Sequence, residues 1–457
     1  MNRYHRQELI DGWNQEKLRD AKVAIIGDGK LAEYVAIPLA ALGVGEIRII
    51  GNSDSRKFLD FEDPPNASKN TAKARMRKGK LPKEWETEDE KSGLIGKDMA
   101  FEPKYLANCL EKLNSDVNAH GYRGELANEA SKYMLSGIDL IIDATNDSHS
   151  KSLASDFMNY ISITGSGNIG MVSSKKAEKR KEHVFSVSGE QDATLSIVLG
   201  GLAAGEAKKM LMGEEVSEDP IIYNKFSGID GMEKKETNSI DYSGKRVLMV
   251  GAGALGNFVA MGLAEIGIGK VDIIDDDTIE DTNLNRQILY YDSVGKGKAK
   301  TLARKMVHMN PGVSINALEK KFDESFDGNY DLIFDCVDNF ATRALMSDFA
   351  SKKKVPLVSG GTDWKGGQVA VYVPGKACLD CQMDLKKSAK KRDESQSCIY
   401  APNPSVIFTN QAIAGMMVNE AVRIFENDGI LRGRRGYDSE MNGRLGKTDT
   451  MGECEHG

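Results

Sequence analysis

The feature of this sequence that most constrains its fold is an internal repeat. The segment KVAIIGDGKLAEYVAIPLAALGVGEIRIIGN, starting at Lys22, and the segment RVLMVGAGALGNFVAMGLAEIGIGKVDIIDDD, starting at Arg246, have the same order of features. Each reads as a β-branched strand, a glycine-rich turn, an amphipathic helix and a second strand, with Gly27 of the first aligned to Gly251 of the second. The repeat predicts two βαβ units of the same topology.

The correspondence continues beyond these segments. IDLIIDATND from Ile138 aligns with YDLIFDCVDN from Tyr330, and each copy closes with a long helical pattern rich in small residues. The first copy is longer because of a polar stretch near residues 54–100, which predicts an insertion or a long surface loop. We therefore expect an α/β protein of two Rossmann-like, doubly wound domains, residues 1–232 and 233–457.

Composition excludes some classes of function. A chain of 457 residues is too long for one hydrophobic core, and its net charge of −7 lacks the basic excess needed for binding nucleic acid. The N-terminus has no apolar leader segment, and the sequence has no apolar stretch long enough to span a membrane. We expect a cytoplasmic protein whose cysteines do not form a disulfide scaffold and whose spacing suggests metal binding or nucleophilic chemistry. Cys109 and Cys336 lie in apolar contexts, and we expect these two to be small core residues.

The second copy carries the residues of a nucleotide site. Gly251, Gly253 and Gly256 form G-x-G-x-x-G between a strand and a helix, where backbone N–H groups can approach phosphate. Asp275 ends the next strand, where a carboxylate can accept hydrogen bonds from a ribose diol. These residues alone do not separate a nicotinamide dinucleotide from ATP.

The segment after Asp275 favours ATP. Asn283, Arg286, Gln287 and Lys298 follow it, and a plain dehydrogenase has no need for an arginine and a lysine there. A triphosphate that reacts at its α-phosphorus does need such cations.

These residues resemble a motif of the ThiF/MoeB and ubiquitin-activating enzyme family, D-x-D-x-V-x-x-S-N-L-x-R-Q followed by G-x-x-K. Thr282 departs from the pattern at its serine, and the resemblance spans nearly the whole chain. The residues that match the motif are Asp275, Asp277, Asn283, Leu284, Arg286, Gln287 and Lys298.

The resemblance implies roles for two more residues. Asp338, in FDCVDN, stands where the family has C-T-D-N and binds Mg²⁺ beside the nucleotide phosphates. Arg6, in RYHRQ, is similar to the arginine of the family's N-terminal R-Y-x-R-Q, which reaches into the ATP site of the partner subunit. In this chain the first copy would supply Arg6 to the second, as in a covalent pseudodimer.

The first copy departs from the same requirements. Ala32 replaces the third glycine, Gly51 stands at the Asp275 position, and Asn146 stands at the Asp338 position. A neutral amide cannot supply the charge that holds Mg²⁺ against polyphosphate. We expect residues 1–232 to be an inactive adenylation half and residues 233–457 to be the active half.

The cysteines suggest a metal and a nucleophile. Cys378 and Cys381 form a C-x-x-C pair, which is half of a tetrahedral zinc site. The family completes this site with a second pair near the C-terminus, where this chain offers Cys454 and His456. Cys398 lies at a position that resembles the family's nucleophilic cysteine, which implies a thioester or persulfide intermediate.

The resemblance implies ATP-dependent adenylation of the C-terminal Gly-Gly carboxylate of a small ubiquitin-like or sulfur-carrier protein, with Mg²⁺ and Zn²⁺ bound. A downstream conjugating or sulfur-transfer protein would follow. The carrier would lie over residues 363–398, whose lysine-rich stretch DLKKSAKKRDESQ we expect to be a mobile loop or simply a solvated surface. Three alternatives remain open: adenylation of a peptide or of a tRNA-borne carboxylate, an NAD-dependent oxidoreductase, and a nucleotide-gated binding module.

Overall fold

The computed structural model describes most of the chain, and the predicted insertion at 54–100 lies wholly outside the described residues. Of the site residues predicted from the sequence, Cys398, Cys454 and His456 also lie outside them. The described residues are 2–52, 102–174, 192–225, 241–396, 403–427, 433–439 and 444–449.

Two β-sheets form in the described part of the chain, one from each copy of the repeat. The first sheet has the order β3-β2-β1-β4-β5-β6-β7, and its strands are β1 (Lys22–Ile26), β2 (Glu46–Gly51), β3 (Asn118–Arg123), β4 (Leu140–Asp143), β5 (Tyr160–Ser166), β6 (Ile169–Ser174) and β7 (Ile221–Asn224). The second has the order β10-β9-β8-β11-β12-β13-β14-β15, and its strands are β8 (Arg246–Val250), β9 (Lys270–Ile274), β10 (Ser314–Leu318), β11 (Leu332–Asp335), β12 (Leu357–Thr362), β13 (Gly366–Tyr372), β14 (Gly433–Asp438) and β15 (Arg444–Asp449).

The two sheets have the same connectivity through their first seven strands. Five strands of each run parallel, and the later strands pair antiparallel. In the first sheet the chain crosses from one side of β1 to the other between β3 and β4. In the second sheet it crosses from one side of β8 to the other between β10 and β11. Ligands of open α/β sheets bind at such switch points, outside the carboxyl ends of the strands. The α/β expectation from the repeat is confirmed.

Helices cover both sheets. Among the described residues, short 3₁₀ helices lie at Glu129–Leu135, Asp281–Asn283 and Ile288–Tyr290. The α-helices are α1 (His5–Glu8), α2 (Gln15–Asp20), α3 (Lys30–Leu42), α4 (Glu102–Leu113), α5 (Ser148–Ala154), α6 (Ala193–Met212), α7 (Ala254–Glu265), α8 (Lys298–Met309), α9 (Phe340–Lys353), α10 (Leu379–Met383), α11 (Leu385–Gln396) and α12 (Ile407–Glu426).

The long helices α6 and α12 pack against each other and join the two copies. A Cβ on Gly201 of α6 would lie 2.7 Å from the backbone nitrogen of Ala412, and a Cβ on Gly415 of α12 would lie 2.9 Å from that of Val198. Glycine is therefore required for this close approach. The small-residue pattern of both helices reflects contact between the copies, and their apolar side chains belong to a single buried cluster.

The lysine-rich stretch after Asp384 corrects one expectation. We expected a mobile loop, but the structure forms helix α11, Leu385–Gln396. Lysine, alanine, glutamate and glutamine are good helix formers, and the stretch contains neither glycine nor proline. High charge was therefore a poor indicator of a loop.

No helix in the described ranges is both long enough and apolar enough to cross a membrane.

Candidate active site

A deep cavity of about 1660 Å³ opens at the carboxyl edge of the second sheet. It lies at the switch point, where β8 and β9 end at Val250 and Ile274 and where the chain leaves β11 at Cys336. Of the nine nucleotide-binding residues predicted from the sequence, all except Gly256 line this cavity, and Asp338 and Arg6 line it as well.

The glycine-rich turn is shaped by close backbone contacts. Gly251 has φ +97°, and a Cβ there would lie 2.6 Å from the carbonyl oxygen of Cys336. A Cβ on Gly256 would lie 2.3 Å from the carbonyl oxygen of Gly251, so this glycine packs the turn and does not face the cavity. Gly253 faces open space and leads into helix α7, the arrangement that lets phosphate approach a helix N-terminus.

Asp275 is held by the same turn. Its Oδ2 accepts a hydrogen bond from Ala252 N at 2.6 Å, and its Oδ1 accepts one from Asp277 N at 2.9 Å. Burial raises the pKa of Asp275, and these hydrogen bonds and Lys298 oppose the rise. The carboxylate is therefore fixed in place at the end of β9 and faces the cavity.

Lys298 begins helix α8 and is paired with an acidic residue. Its Nζ lies 2.8 Å from Asp277 Oδ2, and its side chain is buried, while that of Asp277 is mostly exposed. Sequence reasoning placed both residues at the nucleotide but did not pair them. The Lys298 ammonium must move or share its contacts to meet a phosphate.

Arg286 is a buried cation at the floor of the cavity. Its Nη1 donates to Thr282 O and to Asn285 Oδ1, both at 2.8 Å. Burial lowers the pKa of Arg286 to about 10; the nearby charge of Arg6 adds to this, while Asp338 opposes it. The guanidinium is still charged at neutral pH, with its position fixed by two acceptors.

Arg6 reaches the cavity from the other copy of the repeat. Its Nη1 donates to Asn403 O at 3.0 Å, and its backbone carbonyl accepts from Ser405 N at 3.1 Å. The neighbouring Arg3 also contacts the second copy, through Leu284 O at 3.4 Å. The N-terminal segment is thus docked on the copy that contains the cavity.

Asp338 lies on the turn between β11 and α9, and a buried ion pair supports that turn. Arg343 Nη1 lies 3.1 Å from Asp335 Oδ2, and Arg343 Nη2 donates to Val337 O at 2.7 Å and to Gly360 O at 2.8 Å. The sequence analysis did not identify Arg343. The repeat offered a signal, because Lys151 occupies the same position beside Asp143 in the first copy.

The cavity lining fits a magnesium–nucleotide triphosphate. The Asp338 carboxylate supplies the hard oxygen ligand that Mg²⁺ prefers, and Arg6, Arg286 and Lys298 supply cations for phosphate. Gln287 adds a buried Oε1 that has no hydrogen-bond partner among the described residues, and a ribose hydroxyl or a water molecule can satisfy such an acceptor.

Cys378 and Cys381 lie together, as a shared metal requires. Their Sγ atoms are 3.5 Å apart, with Cys378 at the N-cap of helix α10. The described ranges contain no group of three or more metal-binding side chains, and the other two predicted zinc ligands fall outside these ranges. The pair therefore fits half of a tetrahedral site. Cys109 and Cys336 are buried, as expected of small core residues.

The equivalent position of the first copy is built differently. A Cβ on Gly51 would lie 2.5 Å from Asp28 Cβ, so Asp28 fills the space beside the strand end. Asn146 Nδ2 donates to Gly165 O at 3.2 Å. The local cavity of about 480 Å³ is lined by Asp28, Glu125 and Asp147, and its described lining includes no lysine or arginine. Its carboxylates offer no positive counter-charge to a polyphosphate.

A Rossmann-like sheet with a cation-lined cavity at its switch point defines a nucleotide-binding α/β protein. The ThiF family model matches residues 236–452. The chain is 32% identical over 251 residues to the molybdopterin-synthase adenylyltransferase of Escherichia coli, a match that covers 52% of this chain and 92% of that protein. The chain belongs to the ThiF family.

Other relatives match more locally. The chain is 34% identical to the adenylyltransferase and sulfurtransferase UBA4 of Yarrowia lipolytica, over 35% of this chain and 41% of that protein. It is 37% identical to the SAMP-activating enzyme E1 of Haloferax volcanii, over 30% of this chain and 52% of that protein. It thus spans about half the length of these curated relatives. A solved structure of E. coli MccB with MccA-N7isoASN aligns with a TM-score of 0.41 and 21% identity, covering 46% of this chain and 65% of that chain.

Proposed function

We propose that this chain is an adenylyltransferase that uses ATP to activate the C-terminal carboxylate of a small ubiquitin-like or sulfur-carrier protein ending in Gly-Gly. The observation that carries the proposal is the meeting of Arg6, from the first copy, with Arg286 and Asp338 in one cavity of the second. The relatives named as adenylyltransferases support the same reaction.

In this proposal the carrier carboxylate attacks the α-phosphorus of ATP and pyrophosphate leaves. Asp275 would accept hydrogen bonds from the ribose hydroxyls, and the Gly253 turn would face the phosphates. Asp338 would hold Mg²⁺, whose charge would offset that of the phosphates. Arg6, Arg286 and Lys298 stabilise the charge that develops in the transition state. A carboxylate is already ionised at neutral pH, so the reaction needs no general base.

The cavity also suits a slender substrate tail. Beyond Asp338 its lining includes Gly361, Gly367 and Gly436, and a Cβ added at Gly361 would meet nothing within 4 Å. A chain end without side chains can enter such a passage. We propose that the two terminal glycines of the carrier lie there, and that residues 1–232 serve as an inactive half that supplies Arg6.

Two further steps belong to the same proposal. The Cys398 thiolate would attack the acyl adenylate and release AMP to form a thioester, and the product would pass to a conjugating or sulfur-transfer protein. Cys378, Cys381, Cys454 and His456 would hold a structural Zn²⁺. Arg6, Arg286 and Lys298 in one cavity favour a triphosphate over a dinucleotide, which argues against an NAD-dependent oxidoreductase.

Intact-mass measurement of the carrier after incubation with ATP, Mg²⁺ and the protein tests the proposal. We expect an adenylated carrier, or a carrier joined to the protein. A carrier that lacks its last glycine is the matched control and should remain unmodified. Equal modification of both carriers, or of neither in the presence of bound ATP, would show that the substrate carboxylate is a different one.

A further inference from the structure

A chain of buried side-chain amides connects the first copy to Arg286. Gln7, on helix α1, and Asn285, in the motif of the second copy, are both fully buried. Asn285 Nδ2 donates to Gln7 Oε1 at 3.1 Å, and Asn285 Oδ1 accepts from Arg286 Nη1 at 2.8 Å. Gln7 Nε2 donates in turn to Gln15 Oε1 at 2.7 Å and to Leu42 O at 3.1 Å.

The polarity of this chain is fixed at both ends. Leu42 O can only accept a hydrogen bond, so the nitrogen of Gln7 faces it and the oxygen of Gln7 faces Asn285. Arg286 can only donate, so the oxygen of Asn285 faces it and the nitrogen of Asn285 faces Gln7. Only one arrangement satisfies every group, and an unmet hydrogen-bonding group in a buried network is destabilising.

Asn285 is also connected to Arg6. Its Nδ2 donates to Ser405 O at 3.2 Å, and Ser405 N donates to Arg6 O at 3.1 Å. The two arginines are close enough for the charge of Arg6 to lower the pKa of Arg286. Like charges in such proximity separate unless acceptors hold them, and Thr282 O, Asn285 Oδ1 and Asn403 O are the acceptors.

We propose that Gln7 and Asn285 are positioning residues that fix Arg286 and Arg6, so that docking of the N-terminal segment of the first copy assembles the cation pair of the second copy's site. The effect of this positioning on the reaction rate rests on the proposed adenylation, whereas its effect on the order of Arg286 does not. The first copy then contributes more than Arg6, because it also supplies Gln7, whose amide orients Asn285 and, through it, Arg286.

Hydrogen–deuterium exchange of the unliganded protein tests the structural consequence. Gln7→Met keeps the length and burial of the side chain and removes its hydrogen bonds. The amides of Arg286 and Gln287, which donate to Asn283 O, should exchange about tenfold faster in this variant. The matched control is Gln411→Met, because Gln411 is also a buried amide that joins the copies, through Tyr34 O and Ile197 O, but it does not contact Arg286. Equal protection of Arg286 and Gln287 in wild type and Gln7→Met overturns the proposal.

A double-mutant cycle on pyrophosphate exchange tests the kinetic consequence. Gln7→Met should lower kcat about 10- to 100-fold with a smaller change in the KM for ATP. Combined with Arg286→Met, it should lower the rate by a smaller factor than it does alone, because one of the two arginines it positions is already gone. The same fold-loss in both backgrounds overturns the proposal. A wild-type protein without exchange contradicts the adenylation instead, and the deuterium-exchange result then decides on the positioning role.

Discussion

Arg6 and Asn403 belong to different copies of an internal repeat, and the guanidinium of Arg6 donates to the backbone carbonyl of Asn403 at 3.0 Å. This contact holds a cation of the first copy at the cavity of the second. The site is therefore assembled from both copies, and neither copy alone contains all of its charged groups.

The affinity for ATP should depend on the ionisation of Asp275. Burial raises the pKa of this carboxyl group, and a ribose hydroxyl can donate well only to the ionised form. Binding should therefore strengthen as the pH rises through this raised pKa and weaken below it, at a higher pH than for an exposed aspartate.

Titration of the dissociation constant of ATP against pH, for wild type and Asp275→Asn, measures this dependence. The dissociation constant of Asp275→Asn divided by that of the wild type is free of the titration of ATP itself. It should rise with pH and then level off. A ratio that is constant from pH 4.5 to pH 8 would mean that Asp275 does not accept hydrogen bonds from the ligand.

Loss of Arg343 should unfold the protein at a lower temperature. Arg343→Met leaves the fully buried Asp335 without its counter-charge, which costs about 3–5 kcal/mol. Arg343→Lys is the matched control, because the first copy has Lys151 at this position. Arg343→Lys should lower the free energy of unfolding less than Arg343→Met does, since it retains the charge. Denaturant unfolding of the three proteins measures the difference, and equal stability of wild type and Arg343→Met would contradict a supporting role.

Much of this fold follows from the sequence, because its evidence is local and repeated. The strand, turn and helix around Gly251 are specified within a few dozen residues, and the copy around Gly27 repeats them. The motif residues from Asp275 to Lys298 were predicted for the same reason. Arg343 was missed because its partners Asp335 and Gly360 are brought to it only by the sheet.

Local sequence patterns also do not predict the contacts between the copies. The pairing of Lys30 Nζ with Glu265 Oε1 at 2.6 Å, and that of Asn285 with Gln7, join positions far apart in the chain. Helix α11 was mistaken for a loop because its charge was given more weight than its helix propensity.

Zinc binding should require the C-x-x-C pair. Carefully purified protein should contain about one zinc per chain, and Cys378→Ser or Cys381→Ser should abolish it because three ligands do not close a structural site. Cys109→Ala is the control, since this buried cysteine lies on helix α4 of the first copy and should not affect metal content. Elemental analysis makes the measurement, and less than about half an equivalent in the wild type would contradict the site.

Each chain should bind one ATP. The cavity of the second copy has cations, whereas the described lining of the corresponding first-copy cavity is acidic, and Asp28 fills the space beside Gly51. Calorimetric titration should give a stoichiometry of one ATP per chain, and Asp338→Ala should weaken the binding. A stoichiometry of two would show that the first copy also binds nucleotide.

The most direct test of a site completed by both copies is carrier-dependent ATP–pyrophosphate exchange by Arg6→Ala. We expect the exchange rate to fall about 100- to 1,000-fold, while ATP binding changes much less, because Arg6 acts mainly on the developing charge. Arg19→Ala, which removes an exposed arginine of helix α2 in the same copy, should exchange like the wild type. Wild-type exchange by Arg6→Ala would contradict the account, since the second copy would then react without the first.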